Sequence, residues 1–133
     1  MSAIMPMSEF TADQLEAIFH ANRMTTVVEH RAQLAKTMPE KALLNQVRAL
    51  AHALGWLAYH THRSDRSEPG YPDLTLVRGG RLIFAELKTE KGKTTGPQDA
   101  WLAALETSTA EVYLWRPTQL LDGTIETTLR RTP

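Results

Sequence analysis

The stretch "PDLTLVRGGRLIFAELK", residues 72–88, decides the fold. Two runs rich in β-branched and aromatic residues flank Gly79-Gly80, and a two-glycine loop suits a hairpin turn whose central residues both take positive φ. Counting outward from that turn sets Arg78 opposite Arg81, Val77 opposite Leu82, Thr75 opposite Phe84 and Asp73 opposite Glu86. Directly opposed side chains share a face with Cβ atoms about 4.5–5.5 Å apart, and Lys88 joins that face because side chains alternate with period two. The hairpin therefore gathers Asp73, Glu86 and Lys88. A register slip of one residue would send Asp73 to the other face.

Two carboxylates this close repel each other unless a proton or a cation lies between them. A hard divalent ion such as Mg²⁺, which prefers carboxylate oxygens, is a natural occupant. The plainer account is that Asp73 merely starts a strand after Pro72 and that Glu86 and Lys88 form a solvent-facing ion pair. Against it, Leu82 and Phe84 share the face of Glu86, and Leu74, Leu76, Ile83, Ala85 and Leu87 occupy the other. Both faces are thus expected to be covered, and charges on a covered sheet need a reason.

The remainder of the 133-residue chain supplies the frame. Its length fits one compact domain, and no run of residues reads as a membrane span or a secretion signal, which predicts a cytoplasmic protein. The absence of cysteine excludes disulfides and thiolate chemistry, so any metal must sit on oxygen or imidazole. Fifteen basic and fifteen acidic residues balance, so binding to nucleic acid would depend on local arrangement of the basic ones. Residues 1–36 form an N-terminal helical extension, read as two short helices opened by Thr11 with Gln14 and by Thr26 with Glu29; with few apolar positions it is expected to pack on something, a second copy of the chain among the options. Residues 37–133 form the main domain. Thr37 reads as the N-cap of a helix with Glu40 at its third position and Gly55 as its stop. Then come a strand at "WLAYHT", the hairpin, a helix opened by Thr95, Pro97 and Gln98, and a strand at "EVYLWR". The order α-β-β-β-α-β implies an α/β fold with a mixed central sheet flanked by helices.

If the apolar faces of the two helices pack on the sheet, each brings a polar residue to the rim where the carboxylates sit. Glu40 lies on the stripe of Leu43, Leu44, Val47, Leu50, Ala51 and Leu54, and Gln98 lies in line with Trp101, Leu102 and Leu105. Each also occupies the third position of a capping box, which by itself would explain it.

With these residues assembled, Pro72-Asp73 followed by Glu86-Leu87-Lys88 resembles the PD-(D/E)xK nuclease motif. "ELKTEKGKTTGPQDAWLAAL" and "VYLWRP", with Gly70, Gln98 and Trp101, resemble the virus-type replication-repair nuclease domain, VRR-NUC, over about residues 37–121. The resemblance implies a restriction-endonuclease-like core and phosphodiester cleavage dependent on Mg²⁺ or Mn²⁺, with no organic cofactor. It further implies branched DNA such as four-way junctions as substrate, homodimers, and a bacterial or phage origin; larger relatives are repair nucleases. By the same resemblance Asp73, Glu86 and the main-chain carbonyl of Leu87 are metal ligands, and Lys88 orients the attacking water and stabilises charge on the phosphate. Glu40 corresponds to the acidic residue of the first core helix and Gln98 to the glutamine opening the second. One ion and two ions are both compatible with this set.

Arg63 and Arg66 before the motif, and Lys91 and Lys93 after it, are candidate phosphate contacts, although charged loops are commonly just solvated. His60 and His62 share a strand face, but without a third imidazole nearby they read as structural. Trp56, Trp101 and Trp115 read as core. Two rival functions fit the same fold: a noncatalytic DNA-binding or assembly module, and a sequence-specific restriction-type endonuclease.

Overall fold

The computed structural model describes residues 6–62 and 66–133. The chain divides into two compact units, one reaching Gln33 and the other spanning Leu34–Pro133. The first holds a 3-10 turn, Met7–Glu9, and most of helix α1, Ala12–Thr37. The expected capping box forms: Gln14 N–H donates to Thr11 Oγ1 at 3.2 Å and Thr11 N–H to Gln14 Oε1 at 2.9 Å. The second expected helix start does not. Thr26 turns its hydroxyl back to the carbonyl of Asn22 at 3.0 Å, a bond made inside a continuing helix. With no glycine or proline between Ala12 and Thr37, nothing breaks the chain there, and one 26-residue helix replaces two. Ile18, Phe19, Met24, Val27 and Val28 remain exposed along it.

In the second unit, α2 (Glu40–Ala53) is separated from the end of α1 by two residues, Met38 and Pro39. Thr37 is the last residue of α1, its hydroxyl donating to Leu34 O at 3.4 Å, and Pro39 is the N-cap of α2 without a side-chain bond. The sequence-based start at Thr37 is corrected by Pro39: proline disfavours helical backbone in the residue before it and suits the start of a new helix. Glu40 therefore opens α2, and no capping box accounts for it. Gly55, at φ 87°, ends this helix as expected.

Strands β1 (Leu57–His60), β2 (Leu74–Arg78), β3 (Arg81–Leu87) and β4 (Glu111–Trp115) form one sheet in the order β1-β2-β3-β4. The first two pairings are antiparallel, and β4 runs parallel to β3 after the crossover helix α3 (Gly96–Glu106). This is the mixed α/β arrangement, αβββαβ, that the element order predicts. The hairpin register is the predicted one, with Arg78 opposite Arg81 and Thr75 opposite Phe84, and Gly79 and Gly80 are both at positive φ.

One sheet face carries the core. Leu74, Leu76, Ile83, Ala85 and Leu87 are buried there against Leu43, Val47 and Ala51 of α2 and Ile125 and Leu129. The last two belong to α5 (Thr124–Arg130), which follows α4 (Pro117–Leu121) after a turn at Gly123. The other face is only partly covered, contrary to expectation. Leu82 is 37% and Val77 42% exposed, and α3 contributes no fully buried side chain.

At the turn end of the hairpin, Arg81 makes a forked pair with Glu111, 2.8 Å from Nε and 2.7 Å from Nη2, while its Nη1 donates to the carbonyls of Thr128 and Arg131. Arg78 donates to the carbonyls of Leu54 and Arg131, and both guanidinium groups lie over the buried Trp56 ring. The two arginines thus tie the turn to the ends of α2 and α5, leaving the opposite end of the hairpin for the carboxylates.

Candidate metal centre

Ladder pairing between β2 and β3 stops at Leu74 and Ala85, one residue short of Asp73 and Glu86. Beyond it Asp73 uses its side chain: Oδ2 accepts the Leu87 N–H at 2.8 Å. Asp73 O accepts the Thr61 N–H at 2.8 Å, so its backbone is fixed from the β1 side. Glu40, Asp73 and Glu86 each offer a carboxylate oxygen, and these lie within 4.8 Å of one another. Glu40 reaches the group because Pro39 starts α2 there, and it is half-buried.

Glu86 is 1% exposed. Its Oε1 accepts a bond from Gln98 Nε2 at 3.0 Å, whereas Oε2 is buried without a hydrogen-bond partner. Gln98 also completes the predicted capping box, its Oε1 accepting the Thr95 N–H at 2.9 Å and its N–H donating to Thr95 Oγ1 at 3.4 Å. One side chain makes both contacts, its oxygen spent on the cap and its amide nitrogen on Glu86. Lys88 is 8% exposed, its N–H donates to Trp115 O at 3.1 Å, and its charge acts on Glu86. Burial pushes the Glu86 carboxyl up to about 8, helped by the neighbouring Asp73 carboxylate and the charge of Glu40, and opposed by Lys88. Leu87 ends β3, its peptide N–H held by Asp73.

This donor set fits a hard divalent cation. All three groups are carboxylates, and the buried, unpartnered Glu86 oxygen is an acceptor with nothing else to satisfy it. Among the described residues, no other group of three histidines and carboxylates lies close enough to hold an ion. The His60 and His62 rings lie 4.9 Å apart, tilted by 57°, and belong to no such group. Burial, with the charges of His62 and Arg48, pushes His60 below its ordinary value against the pull of Asp73.

The remaining predicted residues frame the cluster less closely. Arg63 lies outside the described residues; Arg66 is exposed on the loop before β2, and Lys91 and Lys93 are exposed on the loop after β3. That second loop is held by a residue to which the sequence reading gave no role. Arg116 Nη1 donates to the carbonyls of Thr89 (2.6 Å), Glu90 (3.2 Å) and Gly92 (2.7 Å), and Glu90 in turn accepts the Thr118 N–H at 2.7 Å. The available signal was a tight turn, "TEKG", whose carbonyls need donors, followed in sequence by an arginine at the end of the neighbouring strand. Trp56 and Trp115 are core, as expected, but Trp101 is only half-buried: its indole N–H donates to Pro69 O at 3.2 Å and its ring meets Tyr71 edge-on at 5.1 Å.

Gly70 locks this side of the site. It sits at φ 94°, and a Cβ there would lie 2.4 Å from the Pro97 carbonyl and 2.7 Å from Gln98 N. The loop backbone therefore packs directly on the first turn of α3, the turn that aims Gln98 at Glu86.

No family model and no curated protein matches the sequence. A solved structure described as "VRR_NUC domain" is similar to it, at 27% identity over 62% of this chain and 92% of that chain, with a TM-score of 0.49.

Two outcomes follow from the geometry. Because Glu86 is raised, the folded chain without divalent ions keeps a proton between about pH 5 and 8 that the unfolded chain releases. Stability is therefore full at the acidic end and is lost as pH rises, at about 1 kcal/mol per pH unit. Urea denaturation in a chelator at several pH values measures this slope, and Glu86→Gln removes it. Gly70→Ala adds steric conflict with α3 to backbone strain and costs more than about 3 kcal/mol, whereas Gly79→Ala, with open space around its Cβ, costs only the strain of about 1 kcal/mol. Equal losses in denaturation midpoint would show that Gly70 does not brace α3.

Proposed function

We propose that the chain is a DNA endonuclease that hydrolyses phosphodiester bonds with Mg²⁺ or Mn²⁺ held by Asp73, Glu86 and Glu40, with the Leu87 carbonyl as a further ligand. The observation that carries this reading is the partnerless, buried Glu86 oxygen inside a trio of carboxylates, with a nearly buried lysine beside it. A purely structural ion pair would leave neither an orphaned acceptor nor three acids together.

When bound, such an ion lowers the pKa of water and offsets charge on the scissile phosphate. The chain's own groups do the rest. Gln98 fixes Glu86 through one oxygen and leaves the other for coordination. Asp73 is held by the Leu87 N–H, so its remaining lone pairs keep a set direction. Lys88 brings a positive point charge that does not compete as a ligand, suited to orienting the attacking water and stabilising negative charge as the P–O bond breaks. Lys91, Lys93, Arg66 and Arg63 are proposed phosphate contacts on either side, consistent with a balanced total charge and a substrate chosen by shape. The substrate is proposed to be branched DNA, four-way junctions included, cut in the cytoplasm of a bacterial or phage-infected cell. The enzyme is proposed to act as a homodimer joined through α1, whose exposed Phe19, Met24 and Val28 need cover. Sedimentation of the full chain at one-chain mass over the micromolar range would remove the dimer.

Cleavage of four-way junction, flap and linear duplex DNA with Mg²⁺ or Mn²⁺ tests the enzyme. Lys88→Ala is expected to lower turnover by about 10²–10³-fold, the scale for losing one charge-stabilising group, and Asp73→Asn to abolish it. Metal-dependent cutting of none of these DNAs would overturn the proposal.

A further inference from the structure

A cleft of about 880 Å³ opens beside the carboxylates, lined among others by Tyr59, Thr61, Tyr71, Asp73, Gln98 and Trp101. Asp73 belongs to the carboxylate trio and Gln98 bonds Glu86, so the cleft is continuous with the proposed metal site. Its walls set three aromatic rings among polar groups, His62 and Glu68 included. Tyr59 pairs with Thr75 and Thr75 with Phe84, which puts Tyr59 on the sheet face of Glu86, where the residue is 63% exposed. Tyr71 meets Phe84 edge-on at 6.1 Å and Trp101 at 5.1 Å, and Trp101 is anchored to the Pro69 carbonyl. Thr61 donates its hydroxyl proton to Pro72 O at 2.8 Å, so its oxygen presents acceptor capacity at a fixed point.

We propose that this cleft receives one unpaired nucleoside next to the scissile phosphate. The inference rests on the nucleolytic reading of the carboxylate cluster. The volume lies within the usual range for small-molecule sites, about 300–1,000 Å³. The aromatic rings offer stacking to a neutral base, while the Asp73 edge disfavours an anion not bridged by a cation. A base inside a duplex is covered on both faces and along its pairing edge, so it enters a concave site only after leaving the stack. Branch points, flaps and single strands supply such a nucleotide without that cost. The cleft thereby accounts for a preference for branched over linear DNA within one chain, independent of how copies assemble.

Binding and cutting are tested separately. Trp56 and Trp115 are each 2% exposed, so quenching of tryptophan fluorescence by a stacked base reports Trp101. With Ca²⁺ present, hexathymidylate is expected to quench saturably, and Trp101→Phe to lose the quench. Tyr59→Ala, at an exposed position whose unchanged melting temperature confirms folding, is expected to weaken binding about tenfold. A hexamer of abasic residues is expected to bind about tenfold more weakly and without quenching. Equal affinity of the two hexamers, or no effect of Tyr59→Ala, overturns the subsite. Cleavage then compares branched DNA carrying thymidine or an abasic residue at the branch point. Quenching with no cutting of either DNA leaves the subsite standing and removes the nuclease; equally fast cutting of both leaves the nuclease standing and removes the subsite.

Discussion

With Gly79 and Gly80 both at positive φ, Arg78 lies opposite Arg81, and from that pair outward every residue of the hairpin has its face assigned. The register then divides the labour between the two ends. At the turn, paired arginines clamp Glu111, Trp56 and the carbonyls that end α2 and α5. At the open end, the same register delivers Asp73 and Glu86 to one place. Because the side-chain period is two, neither end can shift by one residue without exposing Leu74, Leu76, Ile83, Ala85 and Leu87. The cost of misregister is thus levied on the core, and the carboxylates inherit its rigidity.

Such rigidity is needed because the site itself is destabilising. Three carboxylates with oxygens inside 4.8 Å, one of them almost fully buried, oppose folding unless protonated or neutralised. Lys88 offsets part of this, yet the Glu86 carboxyl still rises to about 8. The fold compensates on the opposite sheet face, where α2 and α5 bury a continuous apolar layer. The destabilising carboxylates and the apolar layer that supports them therefore lie back to back on two strands.

What the sequence made legible follows from which constraints are local. The hairpin register, the Thr95–Gln98 cap and the stop at Gly55 depend on residues close in the chain and were readable. Glu40 was placed on the correct helix, but its position was misassigned because Thr37 and Glu40 have capping-box spacing while Pro39 overrides it. Thr26 with Glu29 misled in the same way, since a threonine hydroxyl can bond backward within a helix as readily as it can cap one. The tail gave a turn at Asp122-Gly123 but not the helices around it. Ile125 and Leu129, one turn apart and both wholly buried, are a signal too short to exceed background. The size of Trp101 argues for burial in the core; only the placement of α3 over part of a sheet leaves it lining a cleft. Arg116 depends on a loop 24–27 residues earlier in the chain, a distance no periodicity reports.

Helix α3 couples the cleft to the carboxylates. Its first turn is fixed three times over, by the Thr95 cap, by the backbone of Gly70 against Pro97, and by Gln98 on Glu86. Further along, Trp101 lines the cleft, yet no side chain of the helix is fully buried. An element held at one end and loosely packed along its length is ordered chiefly by what it touches. On the proposed reading, a base stacked against Tyr59, Tyr71 and Trp101 would hold the helix down, and a helix held down would keep Gln98 on one Glu86 oxygen and the other turned to a cation. By linkage, cation binding would then favour the occupied cleft to the same degree. Under that proposal, substrate selection and assembly of the metal site would become one equilibrium, transmitted over a single helical turn between Gln98 and Trp101.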